Sequence, residues 1–251
     1  MHLNIPLATV SIAALASAAT VPDNVKKFLD SVRSQGECTN KLQTGLTLSD
    51  SESDTDNTYS YCGDRQGVIY LQGTGGKLAD MDVDCDGATV PIDGDTRCNA
   101  SQDTIPETTF KDNVKQFGID DLNAYIHSYV VFGNTGSKEG FVNFNPQEFG
   151  MEPLSVMAVV CGDQMFYGVW GDTNGDDQPR AAIGEASLSL ATLCFGNGIN
   201  GNAGHGEPDV LYIGFTGRDS VADASVNWKA GSAQEFQDSL ATFGDRLIKN
   251  L

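Results

Sequence analysis

The stretch VMAVVCGDQMFYGVWGD, residues 156–172, decides how the chain is read. Two runs rich in β-branched and aromatic residues, Val156 to Val160 and Met165 to Trp170, are separated by Gly162 and Asp163, residue types that tight turns use, so the stretch predicts a β-hairpin. The second arm runs directly into a carboxylate, Asp172. Working outward, similar runs predict strands at Tyr59 to Cys62, Val68 to Gln72, Met81 to Cys85, Tyr125 to Phe132 and Val210 to Phe215. Val25, Phe28, Leu29 and Val32 fall at i, i+3, i+4 and i+7 behind a candidate cap, Asp23, and before Gly36, which predicts an amphipathic helix lying on the outside of the sheet or barrel. Phe110, Val114 and Phe117 predict a second helix ending at Gly118. Ser187 to Leu193 predicts a short third, and Ser232 with Glu235 forms a capping box ahead of Phe236, Leu240, Phe243 and Leu247. Helices at both ends of a long run of strands argue against an alternating parallel α/β design. They predict a mainly β fold, a β-barrel core with peripheral helices, α+β by content.

Met1 to Ala18 carries no charged residue other than His2, holds an apolar run from Ile5 to Ala16 and closes on Ala16, Ser17 and Ala18, the small-x-small pattern of a signal peptidase site. It is read as a leader (1–18) ahead of a single catalytic domain (19–251), giving a secreted, extracellular product. No other run approaches the roughly 18 apolar residues that a membrane helix needs. Export makes the six cysteines an even set in an oxidising compartment, so three disulfides are expected. Six cysteines allow 15 pairings; proximity alone favours Cys85 with Cys98 and Cys161 with Cys194. Asn99, Ala100 and Ser101 form one glycosylation sequon in a polar stretch. Among 251 residues, 34 acidic against 15 basic groups give a formal charge of −19. That charge repels nucleic-acid phosphates and anionic membranes and suits a polycationic partner. Nothing in the sequence indicates an interface, and a monomer is expected.

Beyond the leader the histidines are His127 and His205. There is no zinc-protease HExxH, no convincing nucleophile elbow, no P-loop and no dinucleotide fingerprint. His127 alternates within a predicted strand and reads as structural; His205 lies in a glycine-rich loop; neither is assigned a catalytic role. Asp82, Asp84, Asp86 and Gly87 match the opening of a calcium loop, but the glutamate expected at its twelfth position is replaced by Asp93, and a strand precedes it where a helix is needed. A polar β turn is the better reading, and no metal or cofactor is expected. The stretch from Trp170 to Gly175 followed by Gly184 to Ser187 places Asp172 at a strand end and Glu185 at the start of a short helix, on either side of a glycine-rich loop. Two carboxylates held in that way suit the cleavage of a glycosidic bond.

The strings YSYCGD (59–64), MDVDCDG (81–87), YVVFGN (129–134), PLSVMAVVC (153–161), YGVWGDTNG (167–175) and GEAS (184–187) occur in order over essentially the whole mature chain. Together they resemble the secreted fungal endo-chitosanases of glycoside hydrolase family 75. The resemblance implies endo-hydrolysis of β-1,4-linked glucosamine in chitosan with inversion and no cofactor, and it implies that Asp172 and Glu185 are the catalytic carboxylates. The loop between them, with Asp176, Asp177 and Arg180, looks longer than the family pattern, and Asp176 and Asp177 are candidates for binding substrate ammonium groups. Trp170 and Tyr167 are candidate sugar-stacking residues. Asp172 is expected to stay ionised as general base, and Glu185 to act as general acid. The segment from Asp172 to Glu185 also looks like one arm of a double-psi β-barrel, found in other inverting glycosidases and in plant wall-loosening proteins. A non-catalytic wall-binding or wall-loosening protein on such a barrel is the alternative function.

Overall fold

The computed structural model describes residues 19–49, 56–101, 104–175 and 180–251; the leader, and with it the expected cleavage site, lies outside them. Among the described residues ten strands are formed: β1 Ala19–Thr20, β2 Lys41–Leu46, β3 Tyr59–Cys62, β4 Val68–Gly73, β5 Ala79–Asp84, β6 Tyr129–Asn134, β7 Val156–Cys161, β8 Gln164–Asn174, β9 Glu185–Ser187 and β10 His205–Phe215. Four α-helices accompany them: α1 Asp23–Gln35, α2 Lys111–Val114, α3 Leu188–Phe195 and α4 Ala233–Leu247. The fold is therefore mainly β with peripheral helices.

The predicted hairpin forms as β7 and β8, paired in register from Val156 with Val169 to Cys161 with Gln164. β8 and β10 run to 11 residues each, long enough to serve two neighbours along one edge. β10 pairs with β7 on one side and with β5 and then β4 on the other. β8 pairs with β7 on one side and with β1 and then β6 on the other. β9 lies between β6 and β5, antiparallel to the first and parallel to the second. The pairings thus close on themselves in the order β8, β6, β9, β5, β10, β7 and back to β8, while β4, β3 and β2 continue outward as an antiparallel meander.

The buried apolar side chains form one cluster running from Val21 to Ile248. α1 buries Val25, Phe28, Leu29 and Val32, the four residues its periodicity selects, and sets Phe28 edge-on against Tyr70 at 5.3 Å. Its cap position is Pro22, not Asp23, which sits in the first turn. α4 opens as expected, with the Ser232 hydroxyl accepting from the Glu235 amide at 3.3 Å. Three disulfides form, Cys38–Cys62, Cys85–Cys98 and Cys161–Cys194, both proximity pairs among them. Each closes a loop of 13 to 33 residues, worth about 3 kcal/mol in the chain-entropy account. Asn99 is exposed.

Several elements differ from the sequence pattern. The strand expected from Tyr125 begins only at Tyr129, because Asn123 winds the preceding residues into a turn. The Asn123 side chain accepts from the Tyr125 amide at 3.0 Å, and the Asn123 amide donates to Nδ1 of His127 at 2.7 Å. His127 is thus structural but outside the strand; its Nε2 faces the Trp228 carbonyl at 3.0 Å, and burial pushes its pKa down to about 4. The helix expected over 110–117 is one α turn followed by a 3-10 turn that ends at Gly118. Glu185 belongs to β9 and not to the helix, whose first turn is capped instead by Ser187.

Candidate active site

β8 leaves its regular register just before Asp172. Trp170 pairs with Val130 of β6, whereas Asp172 pairs with the next residue, Val131, so Gly171 is an extra residue. A bulge of this kind re-aims the side chain that follows it. Only glycine fits there: a Cβ on Gly171 would lie 2.6 Å from both Leu122 and Tyr129 side-chain atoms. On the opposite edge of β6, Val131 pairs with Glu185, and Glu185 pairs in turn with Asp82 of β5. Register partners project to one face, so Asp172, Glu185 and Asp82 share a face, with Asp172 and Glu185 two strands apart across Val131. At the usual interstrand spacing their Cα atoms are roughly 10 Å apart. Gly184, with φ +93, turns the chain into β9 where a Cβ would meet Oδ1 of Asp80 at 2.5 Å.

Asp172 is held tightly. One carboxylate oxygen accepts from the Thr109 amide (2.9 Å), the Thr109 hydroxyl and the Thr173 amide (2.7 Å). Thr109 is placed by its neighbour: the Thr108 amide and hydroxyl both donate to buried Asp121. The other oxygen of Asp172, Oδ2, is buried without a partner among the described residues. Burial lifts the carboxyl to about 6, against the downward pull of the Thr109 and Thr173 hydrogen bonds.

The sequence reading placed Asp84 in a polar turn of clustered carboxylates and gave it no catalytic role. It alternates with Asp82 on β5 and is 6% exposed, and its carboxylate accepts from the Asp86 amide at 2.6 Å. Oxygens of Asp84, Asp86 and Asp172 lie within 4.8 Å of one another. Burial, then the charges of Glu185, Asp172 and Asp86, hold the Asp84 carboxyl well above the carboxylate range, since like charges this close cannot all ionise cheaply. These three aspartates are also the described residues, apart from a group containing the disulfide-bonded Cys38 and Cys62, whose side chains converge closely enough to hold a cation. The helix–loop–helix of a calcium loop is not what surrounds them: Asp82 and Asp84 lie within a paired strand, and Cys85 is tied to Cys98. A sequence signal for Asp84 did exist, in the alternation of aspartates at 80, 82, 84 and 86. Thr109 left none.

Asp172, Glu185, Asp82, Asp84 and Asp86 line one cavity of about 510 Å³, together with Arg180. A second cavity of about 800 Å³ adjoins it, and Thr173, Asn174 and Gly175 line both. Of the two candidate sugar-stacking residues, Trp170 lines the second cavity and Tyr167 lines neither. Trp170 is 2% exposed, packs edge-on against Phe110 at 4.7 Å and donates from Nε1 to the Asp172 carbonyl, so it braces the end of β8 that carries Asp172. Tyr167 is buried, and its hydroxyl donates to Asp245 on α4 at 2.8 Å. Asp176 and Asp177 lie outside the described residues. His205, at the start of β10, stacks on Phe195, meets Asp209 and is in register with Met81 of β5.

Residues 81–250, which include the five carboxylates lining the acidic cavity, match a family described as the fungal chitosanase of glycosyl hydrolase group 75. The chain is 44% identical over 248 residues to an endo-chitosanase of Aspergillus oryzae, covering 98% of this chain and 97% of that one. It is 45% identical over 244 residues to an endo-chitosanase of Aspergillus fumigatus, covering 97% and 96%. A third relative, endo-chitosanase C of Aspergillus oryzae, is 35% identical over 178 residues, 68% of this chain and 38% of that one. With its carboxylates gathered in one cleft and its length shared almost from end to end with two of these enzymes, the chain belongs to the fungal chitosanase family, glycosyl hydrolase group 75.

Proposed function

We propose that the protein is a secreted, monomeric endo-chitosanase that cleaves β-1,4 linkages between glucosamine units by an inverting mechanism, with Asp172 and Glu185 as its two catalytic groups. The observation that carries this is their placement on one face, two strands apart across Val131. In an inverting site the carboxyl groups stand roughly 6.5–9.5 Å apart, leaving room for a water beside the sugar, and a spacing of two strands suits that gap. Asp172 takes a proton from this water through Oδ2 as the water oxygen bonds to the anomeric carbon. The glycosidic bond breaks, and Glu185 gives its proton to the departing oxygen. The surrounding aspartates pair with substrate ammonium groups, which is what a polycationic polymer requires. A wall-loosening protein that cleaves nothing would have no use for the second carboxylate.

We read the six-strand ring as a barrel of the double-psi kind forming a single catalytic unit over 19–251. Its two parallel pairs, β6 with β8 and β5 with β9, support that reading. The deciding experiment is incubation of the purified protein with chitosan, chitin and cellulose side by side, with released oligomers read by mass and the first-formed anomer by proton NMR. Chitosan oligomers appearing first as the α anomer are expected. No release from chitosan would overturn the activity, and an initial β anomer would overturn inversion. As base, Asp172 must be ionised, so turnover at saturating substrate should fall as pH drops below about 6. If Asp172 were the acid, turnover would fall above that value instead.

A further inference from the structure

Asn99, Ala100 and Ser101 form the one Asn-x-Ser/Thr sequon in the chain, and the proposed chemistry uses none of them. Asn99 and Ala100 belong to a 3-10 turn, Arg97–Ala100, which Ser101 closes as its amide donates to the Cys98 carbonyl at 3.1 Å. The turn is fixed on several sides. Cys98 is buried and bonded to Cys85, just past the end of β5. Arg97 forks onto Asp95 and reaches the Thr192 hydroxyl of α3 at 2.9 Å. From the facing loop the Gly201 amide donates to the Arg97 carbonyl at 3.0 Å, and the Asn202 side chain donates to the Ala100 carbonyl. Ser101, Gly201 and Asn202 line the acidic cavity, so the turn is part of a wall of the cleft. Successive residues of a 3-10 turn point about 120° apart, and residues three apart eclipse one another. Cys98 points inward, and Ser101, three residues on, lies at the cavity. Asn99 and Ala100 take the remaining sides and are exposed.

We propose that Asn99 is a modification site: the exported protein carries an N-linked glycan there, which stands on the outer side of the cleft wall and leaves the cleft open. The bond formed joins the Asn99 amide nitrogen to the anomeric carbon of the first sugar. The donor is an oligosaccharide linked to a lipid through a diphosphate; the lipid diphosphate leaves, and the amide gives up one proton. Ser101 supplies the hydroxyl that the sequon requires. A glycan is bulky and solubilising and needs a surface position, which the turn provides at Asn99. Attached at position 98 it would have to enter the core, and at position 101 it would fill the catalytic cavity. Because the turn is tied to β5, to α3 and to the facing loop, the glycan's point of attachment is fixed relative to the carboxylates. This rests on the chain being exported, since the donor belongs to the secretory route.

The test is expression of the full chain in a filamentous fungus, with protein from the medium weighed intact before and after peptide N-glycosidase in oxygen-18 water. The glycosidase releases the glycan and leaves an aspartate carrying one heavy oxygen at the modified position. We expect a mass above that of the polypeptide, which treatment removes, and a heavy aspartate at position 99 in the peptide map. Asn99→Gln and Ser101→Ala should each abolish the added mass, the second with the asparagine still in place. Polypeptide in the medium at its unmodified mass overturns the proposal. A chain found only inside the cells with residues 1–18 attached is a failure of the export reading, and it removes the site as well. Since the glycan stands outside the cleft, Asn99→Gln should leave chitosan turnover within about twofold of wild type, the scale of a neutral surface change. A larger change overturns the outward placement.

Discussion

β7 and β5 flank β10 within the same ring and are each six residues long, yet they are built on opposite plans. β7, VMAVVC, is apolar at every position and 3% exposed or less throughout. β5, ADMDVD, is apolar only at alternate positions; Ala79, Met81 and Val83 are buried in the core, while Asp80, Asp82 and Asp84 take the other face. Apolar on both faces, β7 contributes packing alone. β5 gives one face to the core and leaves the other for carboxylates, which the neighbouring β9 and β6 align with Glu185 and Asp172. Apolar packing and clustered carboxylates are thus loaded on different arcs of one closed set of strands, and substitutions should separate their effects.

The largest effect should come from the carboxylate arc. Asp172→Asn and Glu185→Gln keep volume and remove the titrating group, and each should lower turnover by about 10² to 10⁴ fold with little change in melting temperature. Rescue by azide or formate of the Asn variant alone would fix Asp172 as the base, and rescue of the Gln variant alone would exchange the roles. On the packing arc, Val159→Ala removes two buried methyl groups and should cost about 2 kcal/mol of stability, read by denaturant melts, while leaving chitosan turnover near wild type. A large loss of turnover in that variant would blur the division between the arcs.

A smaller effect concerns Asp80, the buried acid on the polar face of β5. Burial, then the charge of Asp82, raises its carboxyl to about 8, and its Oδ1 has no partner among the described residues. A folded pKa above the unfolded one means that the folded state holds the extra proton between about pH 4 and pH 8, so this group's contribution to stability falls as pH rises through that window. Asp80→Asn should therefore raise the melting temperature more at pH 8 than at pH 4. An equal gain at both pH values would show that titration is not the cause. The smallest change expected is that of Thr109→Val, which deletes one of three hydrogen bonds to Asp172 and leaves both amides. Asp172 should then hold its proton to higher pH, moving the acidic limb of the rate profile upward with no more than about a tenfold loss at the optimum. A limb that stays in place would mean that it belongs to another group.

How far the sequence could be read follows from the range of each interaction. The hairpin of β7 and β8, α1 and α4 were legible because local periodicity and turn residues specify them. β9 was not, since three residues carry no period, and β2, with its register shifts around Gln43 and Thr44, does not alternate cleanly. The break of α2 and the turn at Asn123 depend on hydrogen bonds that residue type alone does not announce. Asp172 and Glu185 were found through motifs and a family resemblance. Asp84 and Thr109 were missed because their roles come from neighbours 63 to about 100 positions along the chain.

By itself the sequence determined the mainly β class, the positions of the long apolar strands, the even set of cysteines and the excess of acidic charge, and it singled out Asp172 and Glu185 as the candidate pair. These follow from composition, from side-chain period and from residues close together in the chain. Only the tertiary structure decided that Gly171 bulges β8 so that Asp172 comes opposite Val131, that Asp84 lies beside Asp172, and that Tyr167 belongs to the interior. Each of these depends on strand register and on desolvation by distant segments, and neither exists until the ring of strands has closed.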